Sequence, residues 1–495
     1  MLSNLLIGLK TTFSLIPMIV ILAGSLIGLI FGAIPGLGPT VAATLLISFT
    51  YTMDPMLSIL LIASVYVSAT FGGSQTAILY NIPGSAENTC TAIDGYKLTK
   101  QGKASEALGT AIYASAIGGI LSCVALIFFT PYLSKISYLF GSFEYFAFGL
   151  FGLAAVISLQ NSTLKGIISA IVGILIGCVG LSAIDGSKIL TFNLSGLYGG
   201  FNFIPVMLGT YAVAEVFHQA HENLKHKRIE EVKRKIKTPS IKIVAKIKGV
   251  VLRSSIVGIL IGILPAVGAV LANYIGYTIE EKVQSRSKNK KIGEGDIRGV
   301  AAPEAANNAA AVATFIPMLA LGIPGGAVTA ILIGVFEIHG LKPGPMLFVN
   351  NSELVYTLFV GLLFVNILII SLGYFEIKAI KKLLLVPKGY IFPIMLVFAV
   401  IGSFVVGNNM TDVYIMLVFG LIGFFMKKNG FSIPILVLGI VLSGILESNF
   451  ARMVLSDYTA KDYFTSYIGL TFIVLSLIFL LIPIYNGLKK LYKKH

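Results

Sequence analysis

Two long apolar stretches of this chain are each interrupted in the middle by proline and glycine. The first contains P-G-L-G at residues 35–38, and the second contains P-A-V-G at residues 265–268. In both stretches a glycine stands seven residues before the proline, at Gly28 and Gly258. Proline and glycine break a helix, and backbone groups freed inside a lipid bilayer need a ligand, water or other protein as partner. The pattern therefore predicts matched helix interruptions in two membrane-embedded halves.

A second break follows each interruption farther along the chain. N-I-P-G occupies residues 81–84, and G-I-P-G occupies residues 322–325. Two halves with corresponding breaks are typical of secondary transporters, in which unwound segments near the bilayer midplane form the binding site. The sequence thus predicts two structural repeats with interrupted helices.

Composition sets the class of protein. The chain has 495 residues, of which 56% are hydrophobic and 12% charged, whereas soluble domains carry about 25% charged residues. Apolar runs recur along the whole length and predict an all-α polytopic membrane protein with about 11–12 membrane-crossing segments. The net charge of +15 comes from Lys and Arg in short loops, which is typical of cytoplasmic loops and not of a nucleic-acid surface.

The basic loops also predict the topology. Residues 254–279 have basic loops on both sides, so they are expected to enter and leave the membrane by the cytoplasmic face. Each arm of about 11 residues would reach about 17 Å, roughly the bilayer midplane. This predicts a re-entrant helical hairpin with its tip at Pro265. The hairpin around residues 35–38 is expected to open to the outside, which gives the two repeats inverted topology and leaves the C-terminus in the cytoplasm.

The predicted organisation has four parts. They are a first repeat at 1–217, a basic cytoplasmic linker at 218–248, a second repeat at 249–446, and a C-terminal helix with a basic tail at 447–495. Within the first repeat, the last spans are predicted at 138–159, 164–184 and 196–217.

Polar and glycine residues beside the breaks are the candidate substrate- or ion-binding residues. Helix N-termini bind carboxylates, and carbonyl or side-chain oxygens bind sodium. The alternative is that small residues only allow helices to pack closely. The candidates are Pro35, Gly36, Gly38, Thr40, Gly72, Gly73, Ser74, Asn81, Pro83, Gly84, Ser85, Pro265, Gly268, Glu304, Asn307, Asn308, Gly322, Pro324 and Gly325. Valine at Gly36 or Gly84 is expected to abolish uptake while expression stays near normal.

Glu304, Asn307 and Asn308 form a distinct candidate cluster. A helix would place Glu304 and Asn308 on one face, at i and i+4. Two adjacent amides in an apolar run are costly unless something pairs with them. We expect a sodium ion near the two asparagines, with Ser74 contributing from the other half, although Glu304 at a helix start is favourable in any case. The pattern does not distinguish sodium from proton coupling.

Other classes of function fit less well. An ion channel needs a continuous polar lining, whereas the polar residues here cluster at breaks. An intramembrane protease needs paired catalytic groups in its spans, and G-E-G-D at 293–296 lies in a Lys-rich loop. The sequence has no Walker-type nucleotide motif. His218, His221 and Glu222 could imitate a metal cluster, but their basic surroundings favour a solvated face. We expect no enzymatic activity, no structural or catalytic metal and no organic cofactor.

Six ordered motifs resemble those of the large membrane subunit of tripartite tricarboxylate transporters. They are G-L-I-F-G-A-I-P-G-L-G-P-T at 28–40, F-G-G-S-Q-T-A-I-L-Y-N-I-P-G-S at 71–85, D-G-Y-K-L-T-K-Q-G-K-A-S-E-A-L-G at 94–109, G-V-A-A-P-E-A-A-N-N-A at 299–309, L-G-I-P-G-G at 321–326 and G-L-K-P-G-P at 340–345. They extend across both halves. One departure is Ala266, where this family usually has glycine in a second P-G-x-G, so the resemblance does not imply equal roles for the two tips.

The resemblance implies an ion-coupled secondary transporter in the cell membrane that takes up small organic anions, di- or tricarboxylates such as citrate. It implies two protein partners, a small membrane subunit and an extracytoplasmic solute-binding protein, in addition to membrane lipid. It also suggests kinship with elevator-type carriers that use paired helical hairpins. A stand-alone carrier of carboxylates or other solutes is the alternative.

Overall fold

The computed structural model describes residues 2–160, 162–182, 186–221, 240–265, 267–284, 292–384, 388–456 and 460–492. These residues are almost entirely helical. The helices of the first half are α1 (Leu2–Thr12), α2 (Leu15–Ala33), α3 (Gly38–Thr50), α4 (Pro55–Tyr80), α5 (Thr89–Lys100), α6 (Ala104–Ile136), α7 (Ser142–Ser158), α8 (Thr163–Gly177), α9 (Phe203–Met207) and α10 (Ala214–His221). Short 3₁₀ turns lie at Ala86–Asn88, Ser137–Leu139 and Ser195–Leu197, and a π-helical turn at Leu208–Val213 joins α9 to α10.

The second half repeats this helical character. Its helices are α11 (Ile243–Ile263), α12 (Gly268–Gln284), α13 (Arg298–Ala313), α14 (Phe315–Leu321), α15 (Ala327–Ile338), α16 (Pro345–Asn350), α17 (Ser352–Leu384), α18 (Lys388–Gly407), α19 (Met410–Lys428), α20 (Ile433–Leu455), α21 (Ala460–Thr465) and α22 (Tyr467–Tyr492).

Many of these helices are apolar enough to enter a membrane. In the described part of the chain, seven are long and apolar enough to cross one, and they are α2, α4, α6, α17, α18, α19 and α20. Shorter apolar helices of 10–17 residues accompany them, including α3, α7, α8 and α15. The prediction of an all-α polytopic membrane protein is therefore confirmed.

Two predicted spans of the first half are too long. Helix α8 ends at Gly177, short of the predicted 184, and is followed by an antiparallel pair of strands, β1 (Gly180–Leu181) and β2 (Lys188–Ile189). Gly180 has φ +141°, which a helix does not allow. The span predicted from 196 becomes helical only at Phe203, because Gly200 before it has φ +74°.

Both predicted hairpins are present. Residues 34–37 connect α2 to α3, and residues 264–267 connect α11 to α12, with Ala266 outside the described residues. Gly36, Gly38 and Gly268 adopt φ values of +92°, +59° and +68°. Side chains are strained in this left-handed region, so glycine is required for these turns.

Glycines hold the first arm of each hairpin against the next long helix of the same half. A Cβ atom added to Gly28 would lie 2.5 Å from the Val65 carbonyl oxygen of α4. In the second half, a Cβ on Gly258 would lie 2.2 Å from the Ala306 carbonyl oxygen of α13. The glycine one helical turn later, Gly32 or Gly262, is equally close to its partner helix. The two halves therefore share one packing arrangement.

The second breaks are also alike in detail. Helices α4 and α14 end in left-handed residues, Asn81 with φ +56° and Gly322 with φ +73°. In each, the amide of that residue donates to the carbonyl four residues earlier, at 3.1 and 3.0 Å, and the following amide donates to the carbonyl six residues earlier, at 3.4 Å. A spacing of 322 − 81 = 241 residues thus relates the breaks of the two halves.

Helices α6 and α17 occupy corresponding places in the two halves and run antiparallel. A Cβ on Gly119 of α6 would meet the side chain of Asn366 of α17, whereas a Cβ on Gly373 would meet Ile112. Later residues of one helix thus face earlier residues of the other. The starts of α6 and α17 therefore lie at opposite ends of the helix bundle.

The two hairpins open toward these opposite ends. Next to α2, Thr12 Oγ1 donates to the Thr357 carbonyl near the start of α17, at 3.2 Å. Lys246 of α11 pairs with Glu106 near the start of α6, at 3.5 Å. The arrangement agrees with the predicted inverted topology. The assignment of either end to the cytoplasm stays a prediction.

The second hairpin has longer arms than predicted. Helix α11 begins at Ile243 instead of 254, which makes it about 31 Å long. Ile243, Ile247 and Val250 are buried against α6 and α13, which extends the helix into the region predicted as linker. Helix α20 likewise runs to Leu455, past the boundary predicted at 446.

Candidate functional site

The tip of the first hairpin lies against the second break of its own half. Gly36 N donates to the Gly84 carbonyl at 3.2 Å, and a Cβ on Gly38 would lie 3.2 Å from Ser85 Cβ. Gly84 itself has no room for a side chain, because a Cβ there would lie 1.8 Å from the Gly32 carbonyl oxygen. The break and the tip are therefore joined through their backbones.

The second half repeats this juxtaposition. A Cβ on Gly268 at the start of α12 would lie 3.9 Å from Gly326 Cα, and one on Gly325 would lie 2.6 Å from Thr314 Cα. Tyr66, which belongs to α4 of the first half, brings its hydroxyl to within 3.9 Å of a Cβ placed on Gly326. The two halves thus meet next to the second tip.

Four helices begin around these tips and breaks, namely α3, α5, α12 and α15. No side chain caps the first amides of α3, α5 or α15. The N-terminus of a helix carries a partial positive charge and free N–H donors, which together attract anions. Chemically, this arrangement can hold a carboxylate without any basic side chain.

Each tip is also covered by helices outside its hairpin. A Cβ on Gly36 would meet Gln219 Nε2 at 2.4 Å and Glu215 Oε1 at 3.0 Å, both on α10. Pro265 of the second tip lies against Gly152 of α7, where a Cβ would be 2.9 Å from the proline ring. The tips therefore lie between the hairpin helices and the later helices of the first half.

The carboxyl group of Glu304 lies in a buried pocket between the two halves. Its side chain is fully buried. Thr91 Oγ1 donates to Oε1 at 2.5 Å, Asn88 Nδ2 donates to the same oxygen at 3.5 Å, and Ser115 Oγ donates to Oε2 at 2.9 Å. None of the ion pairs in the described residues involves Glu304. Hydroxyl and amide donors, instead of a cationic side chain, stabilise this carboxylate.

Asn307 and Asn308 extend the same pocket. Asn307 Nδ2 donates to the Glu87 carbonyl at 2.8 Å, and Asn308 Nδ2 donates to Asn307 Oδ1 at 2.9 Å. Asn308 Nδ2 also reaches the backbone carbonyl of Glu304 at 3.2 Å, so the expected i, i+4 contact exists between side chain and backbone. Asn308 Oδ1 and Glu87 Oε2 are buried and have no hydrogen-bond partner in the described part of the protein. Such oxygens call for a bound cation, proton or water.

Ser74 lies apart from this pocket. It is buried in α4, and its hydroxyl bonds to no described residue, including Asn307 and Asn308. Its neighbours serve packing. A Cβ on Gly72 would lie 2.7 Å from the Leu29 carbonyl oxygen, and one on Gly73 would lie 2.2 Å from Asn88 Oδ1.

Other predicted site residues shape the backbone. Asn81 and Gly322 end helices in the left-handed conformation, and Pro83 and Pro324 follow them, where proline stops a helix from continuing. Thr40 lies in the first turn of α3, and its carbonyl accepts a hydrogen bond from Thr44 at 2.7 Å. Pro35 begins the turn before Gly36.

Three residues of the Glu304 pocket have no distinctive pattern in the sequence. Thr91 and Ser115 are ordinary hydroxyl residues of α5 and α6, and Glu87 lies in the 3₁₀ turn after the first N-I-P-G. The one available signal is that Glu87 is an acidic residue three positions after Gly84. Their contacts depend on a fold that brings the halves together. In the described residues, no group of three His, Cys, Asp or Glu side chains is arranged to hold a metal ion.

Similar proteins exist in Agrobacterium vitis. An uncharacterized 52.8 kDa protein in the TAR-I ttuC' 3' region is 34% identical over 480 residues, which cover 96% of this chain and 95% of that protein. An uncharacterized protein in the TAR-II ttuC' 3' region is 35% identical over 234 residues, which cover 47% of this chain and 96% of that protein. No solved structure gives a significant match.

The fold and the site define a class: a multi-pass membrane protein with paired helical hairpins around an enclosed polar site, the organisation of secondary transporters. The family is more specific. The chain belongs to the tripartite tricarboxylate transporter TctA family, whose profile matches residues 18–438. This membership confirms the resemblance found in the motifs and places the chain among transporters instead of enzymes.

Proposed function

We propose that the chain is the large membrane subunit of an ion-coupled carrier that takes up small organic anions, di- or tricarboxylates such as citrate. It works with a small membrane subunit and an extracytoplasmic solute-binding protein in the cell membrane. Family membership supports the tripartite organisation. The basic loops support an orientation in which the C-terminus and the open end of the second hairpin face the cytoplasm.

The observation that carries this proposal is the convergence of four helix N-termini at the hairpin tips. A carboxylate between the tips accepts hydrogen bonds from the free amides of α3 and α12 and from those of α5 and α15. Gly38 and Gly268 lack side chains at the two hairpin turns, which lets the substrate approach the backbone closely. This geometry supports an anion as substrate because it supplies positive potential without a fixed cationic side chain.

The coupling cation binds in the Glu304 pocket. The Glu304 carboxylate and the unpartnered Asn308 Oδ1 supply oxygen ligands, which hard cations such as sodium prefer. Asn307 orients Asn308 through their side-chain hydrogen bond. Ser74 is a further candidate ligand on the first-half side. A proton on Glu304 is the alternative cation, since either one neutralises a carboxylate that is expensive to bury alone.

Uptake of labelled citrate into proteoliposomes that contain all three proteins tests the proposal. We expect uptake only with an inward gradient of sodium or of protons, and the comparison of the two gradients identifies the cation. Glu304→Gln is expected to reduce gradient-driven uptake at least about 100-fold, roughly the loss of 2.7 kcal/mol of binding or coupling free energy. Glu376→Gln is the matched control, because Glu376 is a buried glutamate of α17 outside this pocket. Flux that needs no gradient and exceeds carrier rates would contradict the carrier.

A further inference from the structure

Helix α5 of the first half and hairpin arm α12 of the second half are joined by polar contacts. Cys90 N donates to Asn273 Oδ1 at 3.1 Å, and Tyr277 OH donates to Asp94 Oδ2 at 2.9 Å. The two contacts are four residues apart on each helix. We call this the α5–α12 seam. It forms a boundary between the halves next to the Glu304 pocket, at the end of the bundle toward which the second hairpin opens.

Asp94 is also bound by the loop that precedes α13. The amides of Gly293, Gly295 and Asp296 all donate to its carboxylate, at 2.8–3.0 Å. Gly293 and Gly295 have φ values of +94° and +92°, which turn their amides inward. Successive amides in such a loop form a concave anion site. The G-E-G-D segment is therefore a carboxylate-binding loop that holds α5 against the second half.

The seam is connected directly to the proposed ion pocket. Thr91 lies between Cys90 and Asp94 on α5, and its hydroxyl donates to Glu304 Oε1 at 2.5 Å. One helix thus contacts the buried carboxylate of α13 and the hairpin arm α12. Any change in the charge or the ligand of Glu304 alters a hydrogen bond made by α5 itself.

The chemistry of the seam suits reversible opening. An exposed hydrogen-bonding group can exchange its protein partner for water at small net cost, because the net contribution of such a bond is modest. The contact of α11 with α13 is different in kind, since Gly258 and Gly262 place the two backbones in direct contact. Of these boundaries of the pocket, the α5–α12 seam is the one whose separation leaves groups that water can satisfy.

We propose that the α5–α12 seam is the gate through which the Glu304 pocket opens toward the basic end of the protein, and that Thr91 makes this gate responsive to the occupant of the pocket. The proposal rests on the proposed carrier function for its coupling to substrate, but not for the opening itself. Tyr277 and Asp94 keep the gate closed, and Asn273 supports them.

Cys90 offers a built-in reporter of opening. It lies in the seam and is 3% exposed, so a maleimide can reach it only when the seam separates. A variant with Cys123→Ala and Cys178→Ser leaves Cys90 as the single cysteine. The modification rate, measured on the full chain in proteoliposomes, then follows the open fraction of the gate.

Tyr277→Phe removes only the hydroxyl that binds Asp94. We expect Cys90 to react about tenfold faster, the factor that corresponds to about 1.4 kcal/mol. Tyr113→Phe is the matched control, because it removes a similar hydroxyl contact, to Tyr374 at 2.6 Å, away from the seam. Asn273→Leu removes the other seam contact and gives an independent measurement if Tyr277→Phe folds poorly. A wild-type rate in both seam variants would overturn the gate.

The coupling is tested at Thr91. In the wild-type chain, citrate with sodium is expected to slow modification of Cys90 at least about threefold by favouring the closed pocket. Thr91→Val is expected to speed modification and to abolish this protection, and Thr91→Ser is expected to restore it. Protection that persists in Thr91→Val would overturn the role of Thr91. If the wild-type protein transports no carboxylate but Tyr277→Phe still exposes Cys90, the proposed function fails and the gate stands.

Discussion

The two halves of this protein share a backbone plan but differ in the chemistry placed on it. Their hairpins, glycine contacts and left-handed breaks correspond one to one, with 241 residues between the breaks. The polar cluster of α13 has no counterpart. Counting back 241 residues from Glu304, Asn307 and Asn308 leads, in that order, to Ala63, Tyr66 and Val67 of α4.

The helices that face these positions differ in the same way. Glu87 and Thr91, which contact the α13 cluster, correspond to Val328 and Leu332 of α15, and both of these are buried apolar residues. The contact between α4 and α15 is therefore apolar where that between α13 and α5 is polar. The comparison teaches that close backbone packing preserves the repeat, whereas a few side chains decide which half carries the ion pocket.

The largest expected effect concerns the opposite orientation of the halves. Thr52→Cys lies at the open end of the first hairpin, and Lys282→Cys lies near the end of α12 in the second. In an otherwise cysteine-free chain, a membrane-impermeant maleimide should label Thr52→Cys only from outside and Lys282→Cys only from the cytoplasmic side. Labelling of both from the same side would break the comparison at its foundation.

The next effect tests how tightly the backbone plan is fixed. Gly84→Val places a side chain 1.8 Å from the Gly32 carbonyl, so we expect a destabilisation above about 3 kcal/mol and little folded protein. This differs from the normal expression expected from the sequence, because the structure places backbone on both sides of Gly84. Gly36→Val is expected to be milder, since its nearest neighbour is the flexible end of Gln219.

Detergent-extracted folded protein, measured by size-exclusion chromatography, checks this order. Gly444→Val on α20 is the control, because a Cβ there meets nothing within 4 Å. Equal recovery of Gly84→Val and Gly444→Val would show that the break does not depend on glycine.

A matched pair of substitutions sharpens the chemical difference between the halves. Asn308→Ala is expected to weaken the affinity for sodium or citrate about tenfold, roughly 1.4 kcal/mol, while most of the protein stays folded. Val67→Ala at the corresponding place in α4 should leave affinity unchanged and cost about 1–2 kcal/mol of stability through lost packing. Uptake against sodium and citrate concentration, normalised to folded protein, separates the two. The opposite pattern would assign Asn308 to packing.

The smallest effect is expected at the second tip. Gly268→Ala meets only Gly326 Cα, at 3.9 Å, so space is not limiting and the cost comes from φ +68° alone. That strain is worth about 1 kcal/mol. Uptake at saturating citrate should fall only a few-fold. Complete loss of uptake with normal folding would indicate that the substrate touches this residue directly.

The sequence predicts the parts of the fold that depend on local breaks. Proline and glycine at residues 35–38 and 265–268 determine the hairpins, and the structure contains both. Helix ends are predicted less well, because Ile243, Ile247 and Val250 extend α11 through burial against other helices. The Glu304 cluster is visible in the sequence because charge is rare in apolar runs. Its partners Thr91 and Ser115 are not, since a hydroxyl residue becomes a ligand only through contacts between distant segments.

The pocket built from both halves has a consequence for synthesis of the chain. Thr91 emerges from the ribosome 304 − 91 = 213 residues before the glutamate that accepts its hydrogen bond. At about 5–20 residues per second, this interval is about 10–40 s. During that time the first half lies in the membrane with the polar groups of α5 and α6 lacking their final partner. Insertion and assembly are therefore separate events for this protein, and the first half depends on lipid headgroups, water or chaperones until the second arrives.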